Sequence, residues 1–157
     1  ETRRKNSAGW ADGSHAVGKW TGTVNKPDAK WGMGPDEVLE TCEGDESWLV
    51  GGVRLGETGG HFDGFRVARW PAGAGGKGVL LAGDQPYVCQ DRRWVSFMWS
   101  YPNLIPLGPK AIRRVAEALG RLKFERLYGA FPGQLIKADA SAAVARSAER
   151  YLKMIGA

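Results

Sequence analysis

Residues 59–64, Gly-Gly-His-Phe-Asp-Gly, place one histidine between glycines just ahead of a predicted strand. Glycine allows the sharp backbone turns that would leave the imidazole of His61 exposed. An imidazole nitrogen is the commonest protein ligand of zinc, and one ring nitrogen of His61 would be free to bind it. The segment therefore permits a metal ligand at His61, and it equally permits a histidine that only hydrogen-bonds within a turn.

A second candidate, Asp84, follows the short apolar run 79–82. A carboxylate directly after a buried strand lies at the carboxyl edge of the sheet, where α/β folds collect their ligands. The ordinary alternative is a turn residue at the end of a strand. A turn with a histidine, a strand, a glycine-rich hairpin and a second strand would bring His61 and Asp84 to one end of a sheet.

The segment 91–103 combines two arginines with a dense run of aromatic residues. This composition resembles a nucleic-acid stacking surface. Packing of its aromatic side chains into the core or over a rim is the competing interpretation. A wider set of basic residues could contact a polyanion such as RNA, or could simply coat solvated helix faces. The set is Arg92, Arg93, Arg113, Arg114, Arg121 and Lys123.

Composition limits these possibilities. The 157 residues suit one globular domain, with 43% apolar and 25% charged residues. Two cysteines and two histidines exclude a disulfide framework, a four-cysteine zinc site and a histidine-rich metal cage. The formal charge of +5 is uneven: residues 1–78 hold ten Lys and Arg against eleven Asp and Glu, and residues 79–157 hold twelve against six. Such asymmetry is compatible with a polyanionic partner.

Membrane and export signals are not visible in the sequence. The longest apolar runs are far too short to span a bilayer. No apolar stretch follows residues 1–5, so no signal peptide is seen. We therefore expect an aqueous location, cytoplasmic or in the interior of an organelle, without a membrane span.

The pattern of elements predicts an α/β layered domain. Residues 1–35 read as an irregular segment containing Trp and Gly, and the domain proper is expected over 36–157. Helices are predicted from Pro109 to Gly120 and after a capping Asp139. Short strands and helices in this order predict a mixed sheet with helices on one face. The predicted strands are 48–50 with 52–55, then 65–70, 79–82, 126–129 and 134–137.

Several stretches, taken in order, resemble consecutive blocks of the metallo-β-lactamase superfamily, more narrowly its uncharacterised hydrolase-like members. These stretches are 59–64, 80–84, 91–98, 100–107, 127–130 and 145–152. The resemblance covers roughly residues 35–155 and implies part of an αββα sandwich, the C-terminal half. It also implies one or two metal ions, usually zinc, with His61 as a ligand and Asp84 bridging the ions.

The departures from the family pattern weigh against catalysis. The His-x-His-x-Asp-His motif is missing, because His15 and His61 are the only histidines. A late histidine of the family is also missing, where residues 129–133 stand instead. A catalytic zinc site uses three protein ligands and an open position, so we assign no catalytic residue. The leading hypothesis is a degenerate, non-catalytic domain that serves as a structural or binding subunit.

Two alternatives remain open at this stage. One is a zinc-dependent hydrolase whose ligands are completed by a missing N-terminal part or by a partner. The other is a basic module that contacts RNA. Half of a sandwich would leave an apolar sheet face uncovered, so a protein partner or a homodimer is expected in either case.

Overall fold

The computed structural model describes residues 51–157 throughout, together with 21–25, 27, 38–42, 46–48 and 50. The chain forms two compact units, Glu1–Glu43 and Gly44–Ala157. In the first unit, β1 (Thr21–Asn25) pairs in parallel with β2 (Val38–Cys42). Strand β1 lies in the segment predicted to be irregular, and its β-branched residues favour extended backbone. The predicted boundary at 35/36 lies outside the described residues.

The second unit is a mixed α/β structure, as the sequence predicted. Its elements are β3 (Glu46–Trp48), β4 (Arg54–Glu57), β5 (Arg66–Trp70), β6 (Val79–Gly83), β7 (Tyr87–Val88), β8 (Val95–Ser96), β9 (Met98–Ser100), β10 (Ile105–Pro106), α1 (Pro109–Gly120), β11 (Arg126–Gly129), β12 (Leu135–Ile136) and α2 (Ala140–Met154). Six strands form one sheet in the order β12-β11-β6-β5-β4-β3. Only β6 and β11 run parallel to each other; the other pairs are antiparallel.

Both helices pack on one face of this sheet. Helix α1 begins at Pro109 and buries the residues that recur at helical spacing, Ile112, Val115 and Leu119. These side chains share one core with Leu80 of β6 and with residues of α2. Burial of this apolar face is the main term that stabilises the layer.

The opposite face of the sheet is apolar and partly exposed. One residue from each of five adjacent strands forms a row across this face, because each member of the row is paired in register with the next. The row is Leu55, Ala68, Leu81, Tyr128 and Leu135. The apolar run of β6 predicted a strand buried on both faces, and that prediction is wrong for Leu81, which is 47% exposed. Alternate side chains of a strand point to opposite faces, and the helices cover only the face that carries Leu80.

One local prediction needs correction, and the aromatic segment follows the interpretation of core or rim packing. Asp139 occupies the N-cap position of α2 as predicted, but its backbone is left-handed and its side chain makes no capping bond. The N–H of Ala140 instead donates to the carbonyl of Glu125 (3.1 Å). In the aromatic segment Phe97 is fully buried, whereas Trp99 is 57% exposed. The segment therefore divides between core and surface.

None of the helices in the described part of the chain is both long and apolar enough to cross a bilayer.

Candidate functional site

The turn that carries His61 connects β4 to β5 and is held by three hydrogen bonds. The N–H groups of Thr58 and Gly59 donate to the carbonyl of Phe65 (2.9 and 3.0 Å). The buried amide of Gln85 donates to the carbonyl of Gly59 (2.6 Å). Gly60 has φ +98°, and a Cβ at this position would run into the amide of Gln85. A glycine is therefore required here by both backbone geometry and space.

The imidazole of His61 is half-buried and oriented by the backbone. Its Nδ1 lies 3.1 Å from the carbonyl oxygen of Met98. A carbonyl only accepts, so Nδ1 carries the proton and Nε2 remains an acceptor in the neutral ring. The ring packs against Phe62, with centroids 4.7 Å apart, and against Tyr101 at 5.6 Å. This is the orientation in which one ring nitrogen is free for a ligand.

Asp84 lies directly after β6, at the same edge of the sheet. The Tyr101 hydroxyl donates to the backbone carbonyl of Asp84 (2.9 Å), so one tyrosine contacts both predicted site residues. Burial raises the pKa of Tyr101, which keeps the hydroxyl protonated as a donor. The prediction that His61 and Asp84 share one end of a sheet thus agrees with the topology: β5 and β6 are antiparallel, and the His61 turn precedes β5.

The loop after β11 reaches the same edge, because Gly129 pairs with Gly83 of the parallel strand β6. The resemblance implies a late histidine near residues 129–133, and this segment contains none. The N–H of Gly129 donates to the carbonyl of Gln134 (2.8 Å), and the N–H of Phe131 donates to the Gln134 side chain (3.2 Å). The loop is closed on itself and supplies no imidazole, carboxylate or thiol to the edge.

The described residues do not fit a complete catalytic zinc site. Nowhere in the described part of the chain do three or more His, Cys, Asp or Glu side chains gather closely enough to hold a metal ion. The second histidine of the sequence, His15, lies outside the described residues. A catalytic zinc needs three protein ligands, so no reaction step is assigned to this edge. The metal-binding role of His61 and Asp84 stays a prediction.

The six basic residues proposed for a polyanion lie on two separate elements. One pair occupies the β7–β8 turn, and the others belong to α1 and the loop after it. Several are engaged in ion pairs: Arg93 with Asp91 (2.7 Å), Arg114 with Glu57 (3.1 Å), and Arg121 with Glu117 (2.5 Å). Hydrogen bonds from Arg93 lower the pKa of Asp91 to about 2.

Two residues at the sheet edge of His61 and Asp84 have structural roles that the sequence does not predict. Gln85 is fully buried and fixes the His61 turn, although a glutamine after a strand gives no sequence signal of such a role. Tyr101 was counted among aromatic residues for the core or rim, yet its hydroxyl fixes the backbone at Asp84. Both side chains donate hydrogen bonds to backbone carbonyls of residues distant in sequence, and a sequence pattern does not reveal such bonds.

The chain is similar in sequence to a bacterial protein and in backbone to two solved structures. No protein-family profile matches the chain. The chain is 41% identical over 132 residues to the uncharacterized protein YmaE of Bacillus subtilis (strain 168), a match that covers 84% of this chain and 48% of that protein. The chain thus spans about half the length of this curated relative.

Two solved structures resemble the chain in backbone. A B3 metallo-β-lactamase with an active-site glutamic acid is 23% identical, with a TM-score of 0.47 over 83% of this chain and 50% of that one. A Cronobacter sakazakii metallo-β-lactamase, the HARLDQ motif mutant S60, is 21% identical, with a TM-score of 0.43 over 76% and 51%. At these TM-scores the likeness to both structures is partial.

Proposed function

We propose that this chain is a non-catalytic domain of metallo-β-lactamase-like fold that serves as a binding subunit, with its open sheet face as the docking surface. The observation that carries the proposal is the apolar row across that face. Adjacent strands are spaced at about 4.8 Å, so the row of five positions is roughly 19 Å wide. A contiguous exposed apolar surface of this kind is typical of a protein interface.

The exposure of the face is concentrated in its large side chains. Leu81 is 47% exposed, Tyr128 37% and Trp70, two residues along β5 from Ala68, 46%. Aromatic residues are enriched in the central part of protein interfaces, where they combine apolar area with few rotatable bonds. The open face therefore has the composition of an interface centre.

The occupant that fits is a protein layer with an apolar face and an acidic rim. Residues 51–157 contain sixteen Lys and Arg against eight Asp and Glu, and Arg126 alternates onto the open face with Tyr128. Two copies of this chain would place like charges together, which opposes self-association.

Site-specific photo-crosslinking in cells tests the docking surface. A benzoylphenylalanine at position 81 should yield an adduct with a different polypeptide, and the same probe at Leu104, which is 74% exposed but off the face, should not. Tyr128→Asp should abolish the adduct, whereas Met154→Asp should preserve it. Peptide mapping should locate the adduct on an apolar segment flanked by acidic residues.

Two results contradict the proposal. An adduct of the chain with itself would make the face a homodimer interface. A probe at position 81 that gives no adduct, or an adduct unaffected by Tyr128→Asp, would show that the open face is not a docking surface.

A zinc-dependent hydrolase completed by other residues is the second candidate. It is favoured by the free Nε2 of His61 and by the position of Asp84 at the same sheet edge. Elemental analysis with native mass spectrometry of the full chain decides between the candidates. Near-stoichiometric zinc that His61→Ala removes, with activity lost in parallel, would favour the hydrolase; metal content unaffected by His61→Ala would refute it.

A further inference from the structure

An open groove lies between the β7–β8 hairpin and the C-terminal end of α2. Its volume is about 350 Å³, within the usual range of small-molecule sites. The walls are mainly apolar and aromatic, and the polar groups are few. Its lining includes Cys89, Trp94, Pro106, Arg150, Tyr151 and Met154.

The wall of α2 is held rigidly against the hairpin. The buried hydroxyl of Ser147 accepts from the N–H of Val95 (3.0 Å) and donates to the carbonyl of Ala143 (2.6 Å). The ring of Tyr151 packs edge-on against the buried Phe97, with centroids 5.9 Å apart. A groove whose walls are fixed in this way loses little freedom when a ligand binds.

One cation stands at this groove without an acid partner. The guanidinium of Arg150 lies 4.3 Å from the ring centroid of Trp94, a stacking that orients it and removes water from one of its faces. Across the described part of the chain no carboxylate forms an ion pair with Arg150. Asp91, which interacts with it electrostatically, is already bonded by Arg93 through contacts of 2.7–3.1 Å.

We propose that this groove binds a monocarboxylate with an apolar chain, the carboxylate pairing with Arg150 and the chain lying against Trp94, Tyr151 and Met154. A planar guanidinium matches a carboxylate through two parallel hydrogen bonds. The single unpaired cation suits one negative charge. The long and flexible side chain of Met154, which is 76% exposed, adapts to an aliphatic chain.

The half-buried thiol of Cys89 in the groove wall provides a direct readout of occupancy. In the full chain carrying Cys42→Ser, the rate of Cys89 alkylation by N-ethylmaleimide is measured against rising decanoate, kept below its micelle concentration. Decanol, which has the same chain without the charge, is the matched ligand. We expect decanoate to slow alkylation severalfold and to bind about tenfold more tightly than decanol, since a charge-assisted bond is lost in the alcohol.

Variants separate the contribution of the charge from that of the apolar groove. Arg150→Gln should weaken decanoate about tenfold and leave decanol unchanged, while Lys110→Gln, at an exposed cation on α1 that does not line the groove, should change neither. Circular dichroism confirms that each variant is folded. Equal protection by decanoate and decanol, or protection unaffected by Arg150→Gln, would overturn the carboxylate assignment. Absence of protection by either ligand would overturn the site.

Discussion

Neighbouring leucines on β6 allow the open sheet face to be tested in the isolated chain. Leu80 is fully buried against the helices, whereas Leu81, on the other face, is 47% exposed. Truncation of a buried leucine to alanine costs about 2–5 kcal/mol, including the cavity that remains. Full burial of a leucine contributes about 1.5–3 kcal/mol, and roughly half of that applies to Leu81. We therefore expect Leu80→Ala to cost about 3 kcal/mol and Leu81→Ala about 1 kcal/mol.

Urea unfolding followed by far-ultraviolet circular dichroism measures both values. The two variants share one chemistry and one strand, so their difference of about 2 kcal/mol reports only the environment of each side chain. Each is measured at two protein concentrations, because self-association would make the transition midpoint depend on concentration. Equal costs at both concentrations would show that another part of the same chain covers Leu81. Equal costs that appear only at high concentration would show a homodimer.

Three further predictions concern the buried contacts. Gln85→Ala removes the donor to the carbonyl of Gly59 and should lower the free energy of unfolding by about 2 kcal/mol. Gln90→Ala, at an exposed glutamine, is the near-neutral control. Equal losses of stability in the two variants would refute the role of the buried amide. Ser147→Ala leaves the N–H of Val95 without its acceptor and should lower the free energy of unfolding by about 1 kcal/mol in the same urea assay. This net value includes the gain of roughly 0.5 kcal/mol from alanine in a helix. An unchanged free energy of unfolding would contradict the hydroxyl bridge. Burial raises the pKa of the Cys89 thiol, so in Cys42→Ser its alkylation should accelerate at higher pH than in the urea-unfolded chain. Because the unfolded thiol ionises first, stability should decline as pH rises through the ordinary thiol pKa; identical pH–rate curves for the folded and unfolded states would exclude the burial effect.

Sequence patterns predicted both helices and the central strands of the second unit, but not the four short strands β7–β10. Helix α1 follows from a proline at its start and apolar residues at helical spacing, and it spans Pro109–Gly120 as expected. The strand over 126–129 was also placed correctly. Each of these elements is one continuous segment, and the spacing of its apolar residues reflects which of its faces packs on the core. The mixed sheet with helices on one face was therefore predictable.

The errors concern features that a local pattern does not contain. A run of apolar residues in β6 indicates that both faces are suited to burial, but it does not say whether anything covers the second face. The left-handed backbone at Asp139 and its lack of a side-chain cap depend on the path of the chain from β12. The contact of Gln85 with Gly59 joins residues 26 positions apart. Such contacts arise only when the strands are assembled.

In the candidate site, too, the local residue types were predictable from the sequence, whereas the contacts between distant segments were not. Residue types identified His61 and Asp84, and the antiparallel order of β4, β5 and β6 explains why they reach one edge. The backbone carbonyl of Met98, which sets the free nitrogen of His61, comes from a separate segment of the chain. A lone imidazole oriented in this way, at the same sheet edge as Asp84 but without a group of three ligands in the described residues, can assist a metal site only as part of a larger set. The open apolar face leads to a parallel proposal, since the helices cover only one side of the sheet. If a second polypeptide docks there as we propose, its residues would also decide whether the His61 edge completes a metal site.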